Sequence, residues 1–293
     1  MARTLSVSRA PRIDAHMHWW TTRRSDYGWL TPDLQELYHD FGPAEAGPLM
    51  AAASIDGVIL VQAAPTLAET HYLLELARPR EYVRGVVGWA DLADAREVES
   101  LLQSDLIVGV RPMLQDIDDT GWILRPDLAE GLQLLAARGV AFEALITPRH
   151  LAVMDTLLDR HPALRVMVDH AAKPHITTGV LEPWKSELAV LAAEPRVFCK
   201  LSGLATEGPA GMAPYACAPY VDAVFELFGS ERVVWGSDWP VLTQRLDYAS
   251  WVRWAEQLTA HLAPETRAGV FGGNALRFYG GRLKAGPIAG NSP

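Results

Sequence analysis

Residues 12–20 read RIDAHMHWW, a short stretch with two histidines ahead of two tryptophans. If Arg12–His18 is a strand, its side chains alternate between two faces, so Asp14, His16 and His18 point the same way. Two imidazoles one residue apart on one face can converge on a metal ion or on a single substrate oxygen. A second stretch, VVWGSDWP at 233–240, is an apolar strand that ends in Gly236-Ser237-Asp238. The plainer reading is a buried histidine pair with backbone partners, and an aspartate capping a helix. Taken together, as the first and last strands of one alternating chain, the two stretches point to a shared site.

Between them, apolar runs and amphipathic segments alternate. Strands are predicted at Gly57–Gln62, Val83–Trp89, Ile107–Met113, Val140–Ile146, Arg165–His170, Val197–Leu201 and Val233–Ser237. Helices are predicted at Pro48–Ser54, Thr66–Arg78, Ala93–Gln103, Asp127–Arg138, His150–Arg160, Pro183–Ala193, Tyr215–Phe228 and Asp247–His261. Runs such as GVILVQ suit parallel strands covered on both faces. The expected fold is α/β, a single-domain (β/α)8 TIM barrel over 12–280, with tails at 1–11 and 281–293. A doubly wound open sheet is the competitor, but no strand is followed by GxGxxG or GxxxxGK[ST]. The polar connection Thr21–Gly47 is long enough to carry function or cover a site.

The 293 residues carry a formal net charge of −9, which argues against nucleic acid or an anionic membrane as partner. Two cysteines, Cys199 and Cys217, form no CxxC and suit a reduced compartment. No signal-like or membrane-length apolar run occurs, so a cytoplasmic protein is expected, as monomer or homodimer.

Barrel enzymes work at the C-terminal ends of their strands, where ionisable groups are costly to bury unpaired. The residues that fall there are His16, His18, Gln62, Trp89, Arg111, Glu143, Asp169, His170, Lys173, Lys200 and Asp238. Each has a structural alternative: a cap for Asp238, a core histidine for His170, and an ion pair with Asp116 or Glu143 for Arg111. Arg111 is otherwise suited to a two-pronged bond to substrate oxygens, with Arg125 and Arg149 in reserve. Trp20, Trp29, Trp89, Trp122 and Trp239 fall in or beside strand-end loops, where aromatic faces suit a sugar ring or simple packing.

HxH after the first strand, histidine after the sixth and aspartate after the eighth resemble the amidohydrolase superfamily. With VILVQAAPTLAET, RGVVGWADL, VGVRPMLQD, VDHAAKP, CKLSGL and GGNALRFYG in this order, the chain is similar to its amidohydrolase-2 group of lactone hydrolases. That group includes lactonases for pyrone-dicarboxylate, sulfomuconolactone, L-fuconolactone and L-rhamnonolactone. The resemblance implies a hydrolase that opens a small lactone, with Asp238 as general base and His16, His18 and His170 polarising the carbonyl or positioning water. Gln62, Arg111, Lys173, Trp20, Trp29, Trp89 and Trp239 become the expected substrate contacts. The chain departs from two-metal relatives at strands four and five, which carry Arg111 and Glu143 rather than histidine or a modified lysine. At most one divalent ion is therefore expected, zinc on His16, His18 and Asp238, with metal-free hydrolysis as the alternative. A single strand-end arginine favours a neutral sugar lactone. A carboxylated aromatic-degradation lactone, a decarboxylase, or a non-catalytic binding barrel are the other readings.

Overall fold

A computed structural model describes residues 9–284. One eight-stranded parallel sheet runs in the order β1 to β8, each strand beside its sequence neighbour. The first half comprises β1 Ile13–Met17, α1 Pro43–Ala52, β2 Gly57–Val61, α2 Leu67–Ala77, β3 Val83–Gly88, α3 Ala95–Leu101, β4 Ile107–Val110 and α4 Ala129–Arg138. The second comprises β5 Ala141–Ala144, α5 Leu151–Arg160, β6 Val166–Val168, α6 Trp184–Ala192, β7 Val197–Leu201, α7 Pro214–Phe228, β8 Val233–Trp235 and α8 Tyr248–Leu258. Two short helices follow, α9 Pro264–Ala268 and α10 Asn274–Tyr279. The last strand returns to the first: Asp238 N–H donates to His16 O and His18 N–H to Trp239 O, each at 2.8 Å. The chain is thus a (β/α)8 barrel, as its alternation predicts.

Two cores hold it. Inside the ring, Ile13, Ala15, Ile59, Val61, Val87, Val108, Ala141, Met167, Phe198 and Val234 pack together, and Phe278 and Tyr279 of α10 join them. Gly85 shows how tightly this interior is filled, since a Cβ there would lie 2.4 Å from Val108. The larger core lies between sheet and helices. Helix starts follow local chemistry: Thr66 caps α2 by accepting Glu69 N–H, and Asp94 caps α3 by accepting Arg96 and Glu97 N–H.

Three local expectations change. The first helix starts at Pro43 rather than Pro48, because Pro43 sits in the first turn and Glu45 accepts the Gly42 N–H at 2.9 Å. The sixth strand stops at Val168, since His170, Ala171, Ala172 and Lys173 all adopt positive φ, between 51° and 57°. Asp14 does not share a face with His16. The β1–β2 register slips by one residue between Asp14 and Met17, so Ala15 and His16 both turn inward while Asp14 turns out to Tyr248 Oη at 2.9 Å.

Of the expected tails, residues 1–8 and 285–293 lie outside the described residues. The start of the C-terminal one is tied down: Lys284 N–H donates to Arg84 O at 2.8 Å, and Arg282 Nε to Arg138 O at 3.0 Å.

Candidate active site

The bonds that close the barrel also bring the two ends of the sequence together. Asp238 adopts φ 59° and aims its carboxylate at the histidines rather than at the following helical turn, so it does not act as a side-chain cap. Its Oδ1 lies 3.2 Å from His18 Nε2, 3.6 Å from His16 Nε2 and 3.8 Å from His170 Nε2. Gly236 makes room for this approach, since a Cβ there would sit 2.7 Å from His16 Cβ. His170 arrives on the left-handed turn after β6 and is backed by Gly203, where φ is +67° and a Cβ would meet the ring at 2.5 Å.

The ring nitrogens facing away from Asp238 are already engaged. His18 Nδ1 lies 2.8 Å from Val61 O, an acceptor, which assigns the proton to Nδ1 and leaves a lone pair on Nε2. His170 Nδ1 lies 2.9 Å from Ser202 Oγ. His16 Nδ1 faces Lys200 Nζ at 3.3 Å and Asp169 Oδ1 at 3.5 Å. The lone pair of His18 Nε2 therefore points at a carboxylate oxygen and, at 3.2 Å, at His16 Nε2. Such a cluster needs a proton or cation at its centre. Imidazole nitrogens gathered around a carboxylate are a donor set that suits zinc. His16, His170 and Asp238 offer ligand atoms within 4.8 Å of one another, and His18 Nε2 lies 3.2 Å from both His16 Nε2 and Asp238 Oδ1. His170 thus joins the expected set of His16, His18 and Asp238. At the strand-five position Glu143 is already engaged by Lys200 and by Tyr279 Oη, which leaves no ligand set for a second ion there.

Burial and neighbours set the charges. Burial lowers His170 to about 4, and burial with the nearby Lys200 ammonium lowers His16 well below the usual imidazole range. Burial would raise Asp238, but the surrounding His170, His18 and His16 outweigh it and hold the carboxyl below the ordinary carboxylate range. One layer down, Lys200 Nζ contacts Glu143 and, at 3.0 Å, Asp169 Oδ1, all fully buried. Burial pushes Glu143 up against the pull of Lys200. Asp169 is driven well down, burial being overcome by Lys200 and His16.

A cavity of about 230 Å³ opens above His18, His170, Asp238 and Arg111, walled also by Trp29, Met113, Asp116 and Lys173. Arg111 and Gln62 exchange bonds: Nη2 donates to Gln62 O, and Gln62 Nε2 donates to Arg111 O at 2.7 Å. Gln62 is therefore a buried prop for Arg111 and lies off the cavity wall, contrary to expectation. Trp20 and Trp239 are off the wall too. Each packs edge-on against Phe41, at 5.3 and 5.2 Å, and Trp20 Nε1 donates to His39 O at 3.0 Å. Trp29 reaches the cavity, with Nε1 bound to Ala63 O at 2.7 Å. Lys173 lines it and pairs with Glu207 at 3.4 Å, and Trp89 lines a neighbouring cleft. Sequence reasoning missed Ser202 and Tyr279, and it offered Asp116 or Glu143 as the ion-pair partner of Arg111, whereas Arg111 reaches Asp169 at 3.4 Å and Asp116 lines the cavity. Tyr279 lies 136 residues from its partner Glu143, so no local pattern announces the contact.

The amidohydrolase family profile matches residues 13–281. An L-fucono-1,5-lactonase of Burkholderia ambifaria is 44% identical over 277 residues, covering 92% of this chain and 95% of that protein. An L-fucono-1,5-lactonase of Burkholderia multivorans is 35% identical over 287 residues, covering 92% and 96%. The crystal structure of an amidohydrolase from Burkholderia multivorans with bound zinc superposes with a TM-score of 0.88 at 34% identity, covering 92% of this chain and 99% of that one.

Proposed function

The chain belongs to the amidohydrolase family, and on that premise we propose that it hydrolyses the ring ester of a small sugar lactone. The observation that carries this reading is the convergence of three imidazole Nε2 atoms on one oxygen of the ionised Asp238, in a cavity that holds Arg111. Nearly full-length similarity to two L-fucono-1,5-lactonases supports the substrate class.

Each chemical requirement of lactone opening has a group in reach. Asp238 Oδ1 faces the histidines, and Oδ2 has no hydrogen-bond partner among the described residues. That free oxygen takes the proton of a water as the water attacks the ring carbonyl. The carbonyl–ring oxygen bond then breaks, and Asp238 returns the proton to the leaving alkoxide. The product is an open hydroxy acid, whose ionisation releases one proton. Arg111, braced by Gln62 and lining the cavity, stabilises a substrate oxygen. Trp29 and Lys173 frame the ring. His16, His170 and Asp238, with His18 beside them, would hold a single divalent ion, and zinc suits this donor set. When bound, such an ion supplies Lewis-acid polarisation and lowers the pKa of water.

The test is a panel of lactones followed with a pH indicator against the uncatalysed rate. Five- or six-membered aldonolactones are expected to open with release of one proton each. An enzyme inert on all of them that consumes a carboxylated pyrone lactone would reverse the substrate assignment.

A further inference from the structure

A second cleft adjoins the catalytic cavity, and the chemistry above makes no use of it. Its volume is about 640 Å³, against about 230 Å³ for the catalytic cavity. Three indoles, Trp29, Trp89 and Trp122, form much of its wall, with the carboxylates of Asp26, Asp91 and Asp116 among them. These residues come from the connections after β1, β3 and β4, whereas His170 and Asp238 follow β6 and β8. The two spaces adjoin at Trp29, Met113 and Asp116, which line both.

Size and chemistry then decide what fits. Ligand sites usually measure ~300–1,000 Å³, so the catalytic cavity is small and suits one ring, while the cleft falls inside the range. A group attached to that ring on the side of Trp29 and Asp116 would extend toward the cleft. Indole faces pack against the C–H face of a pyranose, and free carboxylates accept hydrogen bonds from its hydroxyls. Asp26 is already engaged by Arg24 and by Thr66 at 2.6 Å, whereas Asp91 and Asp116 each accept one local bond, from Ala93 N–H at 3.0 Å and Gln115 Nε2 at 3.4 Å, and keep acceptor capacity for a ligand. Neither carboxylate is paired with a cation among the described residues, so both also repel an anionic substituent.

Resting on the lactonase reading, we propose that this cleft is a subsite for a neutral glycosyl substituent, so that the enzyme also opens lactones of disaccharide aldonic acids. Oxidation of a disaccharide at its anomeric carbon is the class of reaction that must supply such a substrate.

The experiment compares an aldono-1,5-lactone that the enzyme opens with the same lactone carrying a β-glucosyl group at each free hydroxyl in turn. Trp122 lines the cleft but not the catalytic cavity, which makes it the discriminating residue. Trp122→Ala is expected to lower kcat/KM about tenfold for at least one glucosylated lactone and to leave the parent lactone within about twofold. Trp122→Phe keeps an aromatic face and should retain most of the glucosylated activity. The proposal falls if no glucosylated lactone is opened, or if Trp122→Ala lowers both substrates in parallel. A wild-type enzyme that opens no parent lactone would instead contradict the lactonase reading itself.

Discussion

The mouth of the barrel and the layer beneath it use the same residue types, yet they are completed differently. Below, the Lys200 ammonium lies between Glu143 and Asp169, Tyr279 Oη donates to Glu143, and Arg111 reaches Asp169 at 3.4 Å. Every carboxylate there has a cation or a hydroxyl supplied by the chain. Above, three imidazole nitrogens approach one oxygen of Asp238, and at least one of them brings a lone pair rather than a proton. The lower layer is finished by folding, whereas the upper one awaits a proton, a cation or a substrate. Stability should therefore reside in the lower layer and chemistry in the upper.

The largest effect expected from this contrast is on stability. Lys200→Met removes the only cation touching Glu143 among the described residues and one of two touching Asp169, leaving buried charge uncompensated. Breaking such a pair costs about 3–5 kcal/mol, measurable by urea unfolding. A loss below about 1 kcal/mol would show that the layer does not depend on its ion pair. Adding Glu143→Leu should recover part of the loss, since an apolar side chain leaves no charge to pair.

A smaller effect sharpens the contrast at the base of the long loop after β1. Glu69 is fully buried, accepts from Tyr27 Oη at 2.6 Å and Ala63 N–H at 3.1 Å, and has Arg24 only at 3.6 Å. Burial dominates and raises it from 4.5 to about 7. The folded chain therefore keeps a proton that the unfolded chain releases between pH 4.5 and about 7. Its contribution is fully present below this window and is lost as pH rises through it, by at most about 3.5 kcal/mol at ~1.4 kcal/mol per unit. Glu69→Gln should flatten the stability profile across that window, and an unchanged slope in the variant would remove Glu69 as its source.

Much of this architecture was legible in the sequence. Continuous apolar runs such as GVILV mark strands covered on both faces, and ionisable residues at their ends stand out against that background. His16, His18, His170 and Asp238 stand out in this way. The rest depends on contacts between distant segments. The slip that turns Asp14 outward is a property of the β1–β2 pairing, not of RIDAHMHWW. The left-handed run through His170–Lys173 carries no glycine to announce it. Trp20 and Trp239 sit beside the site in sequence, yet both turn into the core around Phe41. Pro48 looks like a helix start but lies inside a helix that Pro43 begins.

Asp238→Asn tests the central claim most directly, because it keeps the shape of the side chain while removing its ability to take a proton. Losing a general base costs about 10²–10⁴-fold. Unlike Lys200, Asp238 is not in an ion pair with a buried lysine or arginine that its loss would strand, so folding should be spared. The account predicts a melting temperature close to wild type and a kcat on the lactone lower by at least ~10²-fold. A kcat within a few-fold of wild type would contradict it and move the base to His170 or Asp169.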